Sequence, residues 1–228
     1  AHAGGLRWAI AGRNAQKLQA LADACQPTGV VVADSGDLES VRAMVAQARV
    51  VLTTAGPYAK YGDPVVDACV EHGAHYCDIT GETAWVRRVI TRHHKAAAKA
   101  GVRLVPFCGF DSVPADIGTL ALVTHLRAQG AATRSVRAGY TLKGGLNGGT
   151  LDSALTMAES GDARAMADAF LLNPEDARPT YDKARHGDRR AVDQDPVWGT
   201  WRLPFVMEAI NTRVVRRSAA LAQPAYGA

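Results

Sequence analysis

Residues 7–14, Arg7-Trp8-Ala9-Ile10-Ala11-Gly12-Arg13-Asn14, decide how this chain is read. A short apolar run gives way to a Gly-Arg-Asn turn, as a strand hands over to a helix in a dinucleotide-binding βα unit. The second strand of such a unit ends in an acidic residue when it grips the ribose hydroxyls of NAD, whereas an Arg there accommodates the 2′-phosphate of NADP. Here the strand ends in Gly12, Arg13 and Asn14, so an NADP-binding unit is expected. The Gly-x-Gly-x-x-Gly turn of the first strand belongs about twenty residues upstream, ahead of Ala1. The expectation is therefore a truncated unit lacking its first strand and phosphate loop, in a chain that opens on Ala rather than Met, as a fragment does.

The pattern downstream supports this. Short β-rich runs at Arg7–Ala11, Val30–Ala33, Val50–Thr53, His75–Asp78 and Val102–Pro106 alternate with helical stretches. In those stretches apolar residues recur near every 3.6 positions: Leu18, Leu21 and Ala22; Leu38, Val41 and Val45; Val65, Val66 and Cys69; Val86, Val89 and Ile90. Gly73 and Gly101 fall where left-handed helix C-caps are expected, and Asp37 and Glu39 load one helix start. This predicts a truncated Rossmann-type parallel sheet, residues 1–113, followed by a smaller α+β substrate domain, residues 114–228. In the second part the pattern predicts a helix over Asp116–Leu126, a strand over Ser135–Leu142, helices over Thr150–Glu159 and Ala163–Leu172, an irregular stretch 173–200, and order again over 204–222.

The absent strand would lie mid-sheet in the 3-2-1-4 order. Burying four of its aliphatic side chains would contribute about 6–12 kcal/mol, comparable to the roughly 5–15 kcal/mol stability of a whole domain. The chain alone is expected to fold poorly and bind NADPH weakly.

Composition narrows the function. The chain has 228 residues, 47% hydrophobic and 21% charged, which is the balance of a globular protein. A net charge of +4 without a basic run interleaved with aromatics argues against a nucleic-acid partner. Cys25, Cys69, Cys77 and Cys108 lack disulfide-framework spacing, which favours a reducing, cytoplasmic compartment. No apolar run is long enough to span a bilayer and no leader pattern precedes Arg7, which leaves only peripheral membrane contact open.

Several motifs fall at the carboxyl ends of the expected strands, where open α/β sheets bind ligands. Gly12, Arg13 and Asn14 are cofactor candidates, with Asn14 equally suited to capping a helix. Asp34 would lie beside the adenine or cap the next helix. Thr54, Ala55, Gly56, Pro57 and Tyr58 follow the third run, where small residues admit a cofactor and Pro stiffens the turn. Asp78-Ile79-Thr80-Gly81-Glu82 reads as capping with cofactor-side positioning rather than acid–base catalysis. Pro106 through Pro114 is the densest motif, presenting Asp111 and Ser112 at a helix start; Cys108 within it has no His nearby in sequence to activate it.

Two arrangements mimic other sites. Cys69, His72, His75 and Cys77 have zinc-like spacing, but Gly73 divides them between a helix and a strand, so no metal is expected. Gly144–Thr150 resembles a phosphate loop without its Lys, although a glycine-lined helix start can still hold an anion. His93 and His94 are expected on a solvated helix face.

Taken together, Ala11-Gly-Arg-Asn14, Gly56-Pro-Tyr58 with Tyr61-Gly62, His75 through Glu82, Cys108 through Pro114, Gly144–Ser153 and Pro204 through Ser218 resemble the saccharopine dehydrogenase-like family, and within it the trans-acting enoyl reductase branch. The resemblance implies an NADP-binding Rossmann domain and a substrate domain with a mixed sheet. It also implies reduction of an unsaturated acyl chain held on a polyketide synthase, in the synthesis of cell-envelope lipids. By that likeness Arg13 meets the 2′-phosphate and Thr54 to Tyr58 line the nicotinamide side. Tyr58 and Asp111 are the candidate proton donors. The alternatives are an amino-acid-type dehydrogenase acting on an imine, and a non-enzymatic lipid- or partner-binding scaffold.

Overall fold

A computed structural model describes residues 5–141, 163–189, 191–205, 207–222 and 226. The chain divides into two compact units, Ala1–Cys77 with Arg92–Val105, and Asp78–Thr91 with Pro106–Ala228.

The first unit is a βα alternation: β1 (Ala9–Gly12), α1 (Ala15–Cys25), β2 (Gly29–Val32), α2 (Leu38–Val45), β3 (Val50–Thr53), α3 (Tyr58–His72), β4 (His75–Asp78) and β5 (Leu104–Val105). Local chemistry sets the boundaries. Asn14 caps α1 by accepting the Lys17 N–H at 2.9 Å, and Asp37 caps α2 by accepting the Glu39 N–H at 3.1 Å. Gly73, at φ 73°, ends α3 in the left-handed conformation its missing Cβ permits.

The strands form two parallel groups, β1 with β2 in register Ala9↔Gly29, and β3-β4-β5 with Tyr76 opposite Leu104. The division falls between β1 and β3, where the 3-2-1-4 order places the strand that precedes β1 in a complete unit. Among the described residues β1 and β3 therefore each keep one unpaired edge. Exposure alternates along the strands: Ala9, Ala11, Val30, Val32, Val50 and Leu52 are all exposed, leaving one apolar face of these strands uncovered. The core is built instead from Leu18, Val41, Val45, Val66, Cys69 and Tyr76.

In the second unit, α5 (Val113–Ala128) packs against the last long helix, α8 (Glu208–Leu221). Ser218 donates to Asp116 at 2.9 Å between them. Trp85, Val86, Phe107, Val123, Phe170 and Leu172 form this core. Three arginines of α8 fasten the segment before it. Buried Arg213 pairs with Asp188 and donates to the carbonyl oxygens of Met166 and Asp168; Arg216 donates to those of Ala169 and His186; Arg217 donates to that of Leu172. The helix α4 (Thr83–Ala100) begins in this unit and ends in the first. Two short helices, α6 (Ala163–Met166) and α7 (Lys183–His186), and an antiparallel pair, β6 (Asp193–Gln194) and β7 (Trp201–Arg202), complete it.

Three expectations require correction. Residues 135–141 form no strand; they are exposed, and among the described residues they pair with none of the strands. The helix expected over Ala163–Leu172 stops at Met166, because the Asp168 carboxylate accepts the Phe170 N–H at 2.9 Å and offers the backbone a turn instead. His93 is buried rather than solvated, with Nε2 3.0 Å from a carboxylate oxygen of Asp67. The Gly144–Gly149 cluster and the helix expected at Thr150–Glu159 lie outside the described residues. Among the described residues no helix is long and apolar enough to cross a membrane.

Candidate functional site

In the first unit the candidate residues sit where strands end. Gly12 closes β1, Arg13 is exposed in the turn, and Asn14 has spent its side chain on the α1 cap. The Arg13 guanidinium makes no ion pair with any described residue, so its charge is free for an incoming anion. Asp34, also exposed, accepts the Gly36 N–H at 2.9 Å and so closes its own turn, while capping of α2 falls to Asp37. Beyond β3, Thr54, Ala55 and Gly56 are exposed, whereas Pro57 and Tyr58 are buried. The Tyr58 hydroxyl donates to the Thr53 carbonyl oxygen at 3.0 Å, which ties the start of α3 to the end of β3.

Among the described residues a guanidinium without an ion-pair partner thus stands at the end of β1, where an NAD-specific unit would carry a carboxylate. Small exposed residues follow β3, where main chain can approach a ligand.

In the second unit two loops are stitched together. Asp78 is fully buried; its Oδ1 accepts the N–H groups of Thr80 and Phe107, both at 3.0 Å, and its carbonyl oxygen accepts the Cys108 N–H at 2.7 Å. Thr80 Oγ1 accepts the Glu82 N–H at 3.0 Å, ordering the approach to α4. Phe107 has φ 63°, a conformation rare for a bulky residue. A Cβ at Gly109 would lie 2.4 Å from Asp111 Oδ1, so the exposed Asp111 side chain packs closely over this residue. The Gly109 carbonyl oxygen accepts the N–H groups of Ser112 and Val113. From α8, Asn211 donates to the Asp111 carbonyl oxygen at 2.8 Å. The outcome is a fixed loop whose exposed members are Cys108, Phe110 and Asp111.

Sequence reasoning did not single out Asn211 or Phe107. The former lies far off in the chain and the latter has an unusual backbone conformation that its residue type does not signal. Of the zinc-like quartet, Cys69 is buried, and burial pushes its thiol up to about 12. His75 uses Nδ1 to accept the Arg103 N–H at 3.1 Å.

Residues 1–105 match the family model described as the saccharopine dehydrogenase NADP-binding domain. The whole chain aligns with a Mycobacterium tuberculosis relative at 39% identity, covering 58% of that relative, whose name includes the words trans-acting enoyl reductase. Over residues 1–105 the chain belongs to the saccharopine dehydrogenase NADP-binding domain family. It is also similar to the trans-acting enoyl reductase of Mycobacterium ulcerans, 36% identical over 97% of this chain and 56% of the relative. That of Mycobacterium bovis is 34% identical over 100% and 58%. The chain thus spans a little over half the length of these curated relatives. A saccharopine dehydrogenase (L-Glu forming) from Saccharomyces cerevisiae superposes with a TM-score of 0.46 at 18% identity, over 54% of this chain and 26% of that one. NADP is the cofactor that the family model assigns to the first 105 residues.

Proposed function

We propose that this chain is the cofactor-binding and adjoining substrate-side part of an NADPH-dependent enoyl reductase. In this reading residues 1–113 hold NADPH and residues 114–228 contribute to a substrate domain. The observation that carries it is Arg13, exposed and without a carboxylate partner among the described residues, at the end of β1 in a family whose domain takes NADP. The names of the mycobacterial relatives support an enoyl substrate; we take it to be an unsaturated acyl thioester carried by a polyketide synthase in lipid synthesis.

Bound NADPH would supply the hydride equivalent for the β-carbon of a conjugated thioester, the α-carbon taking a proton. The residues of the chain bind and orient. Arg13 would hold the 2′-phosphate through charge-assisted hydrogen bonds, with Gly12 and Asn14 shaping the turn that carries it and Asp34 on the adenine side. Thr54, Ala55 and Gly56, all exposed, would leave room beside the nicotinamide, with Pro57 stiffening the turn, and orienting donor against acceptor would supply much of the acceleration. Tyr58 and Asp111 are the candidate proton donors. Tyr58 would have to release its bond to Thr53, while Asp111 is exposed on its loop.

In the full-length protein, the test follows loss of NADPH absorbance with a short enoyl thioester and then with one loaded on an acyl carrier. NADPH carrying deuterium at the transferred position should label the β-carbon, with NADH much slower. No turnover on either substrate, or equal use of NADH, overturns the reading.

A further inference from the structure

We propose that Asp78 is a positioning residue of this site: its buried carboxylate holds the Phe107 turn and thereby sets the Cys108–Asp111 loop. The inference rests on the reductase reading and deepens it by naming what fixes the loop that carries Asp111.

Asp78 has no exposed surface, so its carboxylate is kept for what it touches inside. Its Oδ1 accepts the Phe107 N–H at 3.0 Å and its carbonyl oxygen accepts the Cys108 N–H at 2.7 Å. One residue thus captures two consecutive amides at the entrance of the loop. Phe107 between them sits at φ 63°, which its Cβ disfavours. Such a conformation persists where the surroundings over-determine it, and they cluster at ligand clamps. The rest of the loop is pinned independently. The Gly109 carbonyl oxygen takes two N–H groups, and Asn211 holds the Asp111 carbonyl oxygen at 2.8 Å. The entrance alone depends on a titratable side chain. Asp78 also accepts the Thr80 N–H at 3.0 Å, so the same carboxylate shapes the 78–82 loop and couples the two.

Both amides held by Oδ1 need an acceptor. Asp78→Asn keeps Oδ1 as an acceptor for both amides, whereas Asp78→Ala removes it. In the full-length reductase, Asp78→Ala should lower kcat about a hundredfold, the order expected of a 1 Å misplacement. The KM for NADPH should stay unchanged, and the Phe107 and Cys108 amides should exchange with deuterium faster. Asp78→Asn should retain most of kcat and wild-type exchange at both amides. The proposal is overturned if Asp78→Ala keeps wild-type turnover, or if Asp78→Asn loses as much as Asp78→Ala while exchange is unaltered, because the carboxylate then acts chemically. Should Asp78→Ala not fold, Asp78→Asn decides on its own by the same two readouts. Absence of enoyl reduction by the wild-type protein defeats the reductase reading instead, and the exchange comparison still reports whether Asp78 holds the turn.

Discussion

Asn211 of α8 donates from Nδ2 to the carbonyl oxygen of Asp111 at 2.8 Å, joining the last long helix to the loop ahead of α5. Asn211 is buried, so Asn211→Ala leaves that carbonyl without its side-chain donor. The loss should cost about 1–3 kcal/mol, read as a lower midpoint in chemical denaturation. A midpoint equal to wild type would show that water or another group takes over the bond.

Arg13 governs cofactor choice if the reductase reading holds. Arg13→Ala should weaken NADPH binding by about tenfold or more, the worth of a charge-assisted contact, and leave NADH binding unchanged. Arg13→Lys should recover part of the loss, because an ammonium keeps the charge without the fork. Calorimetric titration with both nucleotides separates the cases. An equal loss for NADH would place Arg13 on something other than the 2′-phosphate.

Much of the first unit was legible because its strands are apolar runs bounded by turn residues. Val50–Thr53 and His75–Asp78 emerge with the boundaries their sequence suggests. The β6–β7 pair was not, since it joins Asp193 to Arg202 by charge and shows no apolar alternation. His93 carried a usable signal that residue type obscured. It lies four residues after Val89 and four before Ala97, on the stripe of α4 that begins at Trp85, and all four are buried. The site divides in the same way. Arg13 and the segment after β3 are local features that sequence exposes, whereas the clamp on Phe107 joins Asp78 to a residue 29 positions away and becomes visible only in three dimensions.

Arg213 is the most deeply buried cation described, 1% exposed, with Asp188 and the carbonyl oxygens of Met166 and Asp168 around it. Arg213→Ala strands those acceptors and should destabilise the protein by about 3–5 kcal/mol. Arg213→Lys should recover little, because one ammonium cannot reach three acceptors in a planar fork. Denaturation midpoints for the two variants decide this. A Lys variant as stable as wild type would reduce the role of Arg213 to its charge.

The burial of His93 sets a pH dependence. Burial lowers its pKa below the ordinary 6.5, against the opposing pull of Asp67 and Asp63 and with Arg92 adding to the depression. The unfolded chain then binds the proton more readily than the folded one. His93 therefore contributes full stability above about pH 6.5, and that contribution is lost as pH falls through the folded value. The melting temperature should drop on acidification below this point and drop less in His93→Gln. Parallel curves for the two proteins would assign the acid sensitivity elsewhere.

The four thiols should separate by burial. Cys25 and Cys108 are exposed, Cys77 is intermediate, and Cys69 is fully buried with its thiol pushed up to about 12 by desolvation. Since the thiolate is the reactive form, Cys69 carries almost none of it at pH 8. A disulfide reagent at that pH should modify Cys25 and Cys108 quickly, Cys77 slowly, and Cys69 only when the fold opens. Peptide mapping of the labelled protein assigns each rate. NADPH should leave the Cys69 rate unchanged unless it stabilises the first unit against opening, in which case the label at Cys69 slows in proportion to the added stability. Rapid labelling of Cys69 in the native protein would mean that α3 opens far more readily than a core containing Val66 and Tyr76 allows.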